Sequence, residues 1–195
     1  MADDRSALRR RLRAARRAVP AAERPRAAAA IDRALAGLGL PCPGSRICAF
    51  HSFDGQIDPS VVLARAHTLG CSVYYPVITS LRARRMRFVS SAEDAAADTI
   101  GPRWLDLVLV PLVGFDARGS RLGMGAGFYD RQFAFLRHRR TWHRPRLLGL
   151  AFDVQRVECL ADAAHDVPLW GIVTERGIYG RAASHSMNAG RKTAQ

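Results

Sequence analysis

The run "LDLVLVP" at residues 105–111 is the most constraining feature of the chain. Its apolar residues are nearly continuous, without the every-second-residue alternation of a strand that meets water on one face. Such a strand is buried on both sides, so the sheet it belongs to needs cover above and below. The next stretch has a different character. "FDARGSRLGMGAGFYDR" (115–131) packs four glycines, two acids and three arginines into seventeen residues.

The rest of the chain supplies the cover. Leu8, Leu12, Ala15 and Val19 recur at steps of 4, 3 and 4, one face of a helix. Arg5, Arg9 and Arg13 lie four apart on another face. Pro20 interrupts, and a second helix is expected through Leu35. "RICAFH" (46–51) reads as a strand and "SFDGQ" as a polar loop. "DPSVVLARAHTLG" reads as a helix with Asp58 as N-cap, Pro59 at its first position and Gly70 past its end. "CSVYYPV" (71–77) is the next strand. Strand, helix and strand in so short a span form a βαβ unit with parallel strands. "MRFVS" (86–90), "RLLGLAF" (146–152) and "GIVTE" (171–175) add strands, and Tyr129, Phe133 and Leu136 mark an amphipathic helix after the glycines. The expected fold is α/β: a three-layer, mostly parallel, Rossmann-like sheet with helices on both faces. Residues 1–181 are expected to form one domain, and the small, polar residues 182–195 a disordered tail.

Charge and cysteine usage narrow the function classes. The net charge is +13, which invites a nucleic-acid reading. Against it, Lys192 is the only lysine, so the arginine bias reads as a compositional habit of the whole chain. An acidic small-molecule substrate profits equally from the positive field, so nucleic acid is not the expected partner. No run approaches the roughly 18 apolar residues of a membrane span. The N-terminus is charged from Asp3 onward, with no apolar signal-like core. Cys42, Cys48, Cys71 and Cys159 form no CxxC pair and read as reduced thiols of a cytoplasmic protein.

A glycine-rich turn between a strand and a helix N-terminus is a common phosphate cradle, because backbone N–H groups point inward. The alternative is a connection with only a packing role. Arg121 before the glycines could neutralise phosphate, and Asp130 just inside the helix could hold Mg²⁺. Two familiar loops are excluded. GxGxxG fails because its third glycine position is Phe128, and the Walker pattern fails for want of a lysine. The spacing present is GxGxG, Gly123 to Gly127.

"VPLVGFDARGSRLGMGAGFYDR" resembles the signature of the 5-formyltetrahydrofolate cyclo-ligase family, also called methenyltetrahydrofolate synthetases. "RSALRRRLRAARR", "AFHSFDGQIDPSVV" and "GLAFDVQRVECL…HDVPLWGIVTE" resemble further stretches of that family in the expected order, so the likeness spans most of residues 5 to 178. The resemblance implies ATP-dependent conversion of 5-formyltetrahydrofolate to 5,10-methenyltetrahydrofolate, with ATP and Mg²⁺ required. It implies that the nucleotide lies on Arg121, Leu122, Gly123, Met124, Gly125, Ala126, Gly127, Phe128 and Tyr129, with Arg121 as the catalytic charge clamp. Arg5 and Arg9 fall on the family's basic pair, Asp130 and Asp166 on its metal carboxylates, and His51 and Gln56 on its folate pocket. For Asp166 a helix or turn cap is the alternative role.

Three departures stand out. Arg5 replaces a common lysine and Gln56 a common glutamate. The segment "VSSAEDAAADTIGPR" between Met86 and Trp104 is also shorter than the family's, with Trp104 a candidate to replace the missing wall. These keep open a second reading, a paralogue that binds nucleotide or folate in a regulatory role.

Overall fold

The structure, a computed structural model, describes residues 2–90, 98–139, 144–161 and 166–184. Helices α1 (Ala2–Arg17) and α2 (Arg24–Gly37) lie on either side of Pro20. Strand β1 (Arg46–Cys48), helix α3 (Ser60–Thr68) and strand β2 (Ser72–Ser80) form the expected crossover, with β1 and β2 parallel. Asp58 Oδ1 accepts the Ser60 N–H at 2.9 Å at the start of α3, and Gly70 takes φ +66 beyond its end. The remaining strands are β3 (Arg85–Val89), β4 (Thr99–Ile100), β5 (Leu107–Pro111), β6 (Gly114–Phe115), β7 (Arg121–Leu122), β8 (Arg146–Leu150), β9 (Gly171–Val173) and β10 (Ile178–Tyr179). A short helix, α4 (Phe128–Gln132), succeeds the glycines.

Eight strands form one sheet in the order β10-β9-β8-β5-β1-β2-β3-β4. The central strands β9, β8, β5, β1 and β2 run parallel, and the edges turn antiparallel through β10, β3 and β4. Alternate residues feed two cores. Ile47, Leu107, Leu109 and Leu148 meet Ile31 and Leu35 of α2 and Val62 and Ala66 of α3. Cys48, Val108, Val110 and Leu147 meet Phe88, Phe115 and Phe133. Each fully buried aliphatic side chain contributes about 1.5–3 kcal/mol, which is why the continuous apolar runs settle at the sheet centre.

The layer beside the second core is thinner than expected. The helix predicted through Leu136 stops at Gln132, and Ala134–His138 continue as a 3₁₀ turn. Phe133 is fully buried with its ring 5.7 Å from Phe88, and Phe135 packs 6.2 Å from Phe133. Phe133 sits where α4 gives way to this tighter turn, and Phe135 lies within it.

The glycine loop does not leave β5 directly either. The two-stranded ribbon β6–β7 intervenes, with its turn built on Asp116. That carboxylate is fully buried and accepts N–H bonds from Arg118, Ser120 and Leu160 at 3.0–3.1 Å. Leu12 of α1 packs with Val113, Leu122 and Leu160 around the ribbon. It lies so close that a Cβ on Gly114 would collide with Leu12 Cδ1.

At the other end, residues 181–184 form a helical turn rather than the start of a tail. Ala182 is fully buried against Gly171 and donates its N–H to the Trp170 carbonyl at 2.9 Å. Residues 185–195 lie outside the described residues. No helix among the described residues is long and apolar enough to cross a membrane.

Candidate active site

From β1 the chain moves outward to β2, whereas from β5 it moves to β8 on the other side. The carboxyl ends of β1 and β5 therefore flank a topological switch point, where open α/β sheets form their crevices. A cavity of about 490 Å³ opens there, floored by Phe50 and His51 beyond β1 and by Val110 and Pro111 of β5. Of the residues expected in the site, Arg5, Arg9, His51, Gln56, Arg121, Gly123, Met124, Gly125, Ala126, Gly127, Phe128, Tyr129, Asp130 and Asp166 all line this cavity. Leu122 does not. Its side chain is fully buried in the cluster under α1, and its carbonyl is taken by the Val113 N–H at 2.8 Å.

Helix α1 brings Arg5 and Arg9 over the glycine loop because its C-terminal half is tied to the loop after β1. Asp54 receives Arg13, Arg16 and Arg17 together, the first two at 2.8 and 2.7 Å. Arg16 is only 1% exposed, and also donates to the Leu112 carbonyl at 3.2 Å and the Asp54 carbonyl at 3.1 Å. Arg24 closes the end of the helix, donating to the carbonyls of Arg16, Arg17 and Gly55 at 2.9–3.2 Å. Burial works to raise the Asp54 carboxyl, but the arginine hydrogen bonds and charges outweigh it and hold the group below its ordinary value. Burial beside Arg13 and Arg17 lowers Arg16, opposed by Asp54.

In the loop itself, Gly125 (φ +100) and Gly127 (φ +68) occupy left-handed backbone that an L side chain rarely adopts. Arg9 Nε donates to the Gly123 carbonyl at 2.9 Å, which fixes the loop to α1. Arg121 is 7% exposed and is held at both ends, by the Asp130 carboxylate and the Val167 carbonyl. Asp130 Oδ1 accepts the Val167 N–H as well, at 3.0 Å. The charge clamp and the metal carboxylate expected from the sequence are thus partners of each other. Burial pushes the Tyr129 phenol well above its ordinary value, so it stays a neutral donor.

On the opposite wall, the exposed His51 ring stacks on Tyr75 at 4.3 Å and 11°. Gln56 is buried, and its Oε1 accepts the Phe53 N–H at 3.3 Å. Ile78 of β2 and Met86 of β3 complete this side, and Phe53, Ile78 and Met124 leave apolar surface exposed at the mouth. Trp104 does not replace the wall: it is 66% exposed and stands away from the cavity lining. Residues 91–97 of the shortened segment lie outside the described residues.

Asp130 and Asp166 are the carboxylates that line this cavity, and no group of three or more His, Cys, Asp or Glu suited to a metal occurs among the described residues. Two carboxylates suit Mg²⁺ when phosphates and waters supply its other ligands, and suit a free structural ion poorly.

The family model for 5-formyltetrahydrofolate cyclo-ligases matches residues 1–175. A 5-formyltetrahydrofolate cyclo-ligase of Escherichia coli K12 is 31% identical over 148 residues, 68% of this chain and 79% of the relative. One from Mycolicibacterium smegmatis is 30% identical over 192 residues, 89% of this chain and 95% of the relative. The solved 5,10-methenyltetrahydrofolate synthetase of Mycoplasma pneumoniae superposes with a TM-score of 0.73 at 25% identity, covering 88% of this chain and 99% of that one. The sheet, the cavity at its switch point and these matches agree: the chain belongs to the 5-formyltetrahydrofolate cyclo-ligase family.

Proposed function

We propose that this chain converts 5-formyltetrahydrofolate to 5,10-methenyltetrahydrofolate, consuming ATP and releasing ADP and phosphate. The observation that carries the reading is one cavity in which a glycine loop with two left-handed residues, two helix-borne arginines and a half-apolar wall face one another. The formamide oxygen is a poor leaving group until it takes the γ-phosphoryl group. N10 then bonds to the formyl carbon, the C–O bond breaks, phosphate departs with that oxygen, and the N10 proton is lost.

The chain's part is positioning and charge compensation. Backbone N–H groups of Gly123–Gly127 suit the phosphates, with Arg5 and Arg9 above them and Arg121 alongside. Leu122, buried under α1 and outside the cavity lining, is left out of this set. His51 and Gln56 suit the folate, and the apolar mouth of Phe53, Ile78 and Met124 suits its flat rings. Asp130 and Asp166 would hold Mg²⁺, which supplies neutralisation of the phosphate oxygens. Arg121 orients Asp130 for that task through their ion pair. The four free thiols support a reducing, cytoplasmic setting.

Purified protein given MgATP and 5-formyltetrahydrofolate should accumulate the methenyl product, read by its near-ultraviolet absorbance. Binding of both ligands without turnover would favour the regulatory paralogue instead.

A further inference from the structure

Each left-handed glycine of the loop is faced by a guanidinium from elsewhere in the chain. A Cβ on Gly125 would lie 3.6 Å from Cζ of Arg9, and one on Gly127 would lie 3.5 Å from Nη1 of Arg84. The two arginines differ in commitment. Arg9 is fixed by its bond to the Gly123 carbonyl. The Arg84 guanidinium is exposed and makes no hydrogen bond or ion pair with the described residues.

Arg84 is nonetheless placed with care by its backbone. It ends the turn between β2 and β3, where its N–H donates to the Leu81 carbonyl at 3.2 Å and Ser80 Oγ accepts the Ala83 N–H at 3.0 Å. Its φ of +50 is unusual for a residue with a side chain. From this position its side chain reaches Gly127.

Charge makes the placement meaningful. No basic residue lies between Arg121 and Arg131 in the sequence, so the loop proper carries no cation. Arg121 is already neutralised by Asp130 and tied to the Val167 carbonyl. A polyphosphate on the loop would still carry several negative charges, and the guanidinium beside Gly127 is suited to one of them by its bidentate fork.

We propose that Arg84 is a nucleotide-binding residue that closes from the β2–β3 turn onto the phosphate chain, across the loop from Arg9. This rests on the reading of the loop as the phosphate site. A clamp on a hairpin tip, unlike a lysine within the loop, engages only once the phosphates are there to hold it.

The test uses the full chain, with MgATP binding measured calorimetrically in the absence of folate and initial rates measured against each substrate. Arg84→Gly removes the guanidinium and suits the left-handed backbone, so the turn is kept. Arg84→Lys retains the charge without the fork, and Arg82→Ala removes a neighbouring exposed arginine of the same turn. Arg84→Gly should raise the Kd and KM for ATP about tenfold, the loss of one charge-assisted contact, with the folate KM unchanged. Arg84→Lys should recover part of the loss, and Arg82→Ala should match wild type. Unchanged ATP affinity in Arg84→Gly, an equal loss in Arg82→Ala, or a rise confined to the folate KM would each overturn the proposal. Wild-type protein that fails to bind MgATP would overturn the loop reading as well; wild-type binding matched by Arg84→Gly overturns only the role of Arg84.

Discussion

Arg16 and Asp54 meet at 2.7 Å where the first helix crosses the loop after β1, with side-chain exposures of 1% and 9%. The pair joins two halves of the cavity, since the helix carries Arg5 and Arg9 and the loop lies between His51 and Gln56. Neither residue lines the cavity, yet both determine how its walls face each other.

Removing the carboxylate should therefore be costly. Asp54→Ala leaves the buried Arg16 without its counter-charge, and breaking a buried pair this way costs about 3–5 kcal/mol. Urea denaturation should show a loss of that size. Loss near zero would mean that helix α1 is held by Leu12 and its apolar neighbours alone.

Acid should act through the same contact. The Asp54, Asp106 and Asp116 carboxyls all sit below the ordinary 3.8, because arginine and backbone hydrogen bonds outweigh the burial that would raise them. Groups with depressed folded values stabilise the fold fully above the unfolded value and lose that contribution as pH falls through the folded one. The urea midpoint should stay flat near neutrality and drop between about pH 5 and pH 2. Asp54→Asn should flatten part of that drop; an unchanged profile in this variant would remove Asp54 from the acid response.

Much of this was legible in the chain, for physical reasons that differ by element. Strand β5 was plain because Leu107 to Val110 are apolar without alternation, as burial on both faces demands. The loop was plain because the left-handed residues, Gly125 and Gly127, had to be glycine. The Asp54 cluster was hidden: "SFDGQ" reads as a solvated turn, and Arg16 is one arginine in a run of them. Nothing local distinguishes the arginine that finds a buried carboxylate from those that face water. Arg84 was hidden likewise, since its backbone twist is a property of the turn. Ala182 looked like tail because a single alanine carries little apolar signal, although Gly171 leaves it a tight seat.

Position 56 tests how the folate wall works. Gln56 spends its Oε1 on the Phe53 N–H at 3.3 Å, and a glutamate could keep that bond while offering a charged acceptor to the cavity. Gln56→Glu should raise kcat/KM for 5-formyltetrahydrofolate about tenfold, equivalent to about 1.4 kcal/mol. A fall instead would mean that the shortened 86–104 segment has reshaped this wall to suit the amide, leaving the new carboxylate unpaired.

The proposed reaction turns on the formyl oxygen, which becomes the leaving group by taking the γ-phosphoryl group from ATP. Turnover of substrate labelled with ¹⁸O in the formyl group, with mass spectrometry of the released phosphate, reports the fate of that atom. One labelled oxygen is expected in each phosphate released. Unlabelled phosphate alongside full conversion to methenyltetrahydrofolate would contradict the phosphorylated intermediate.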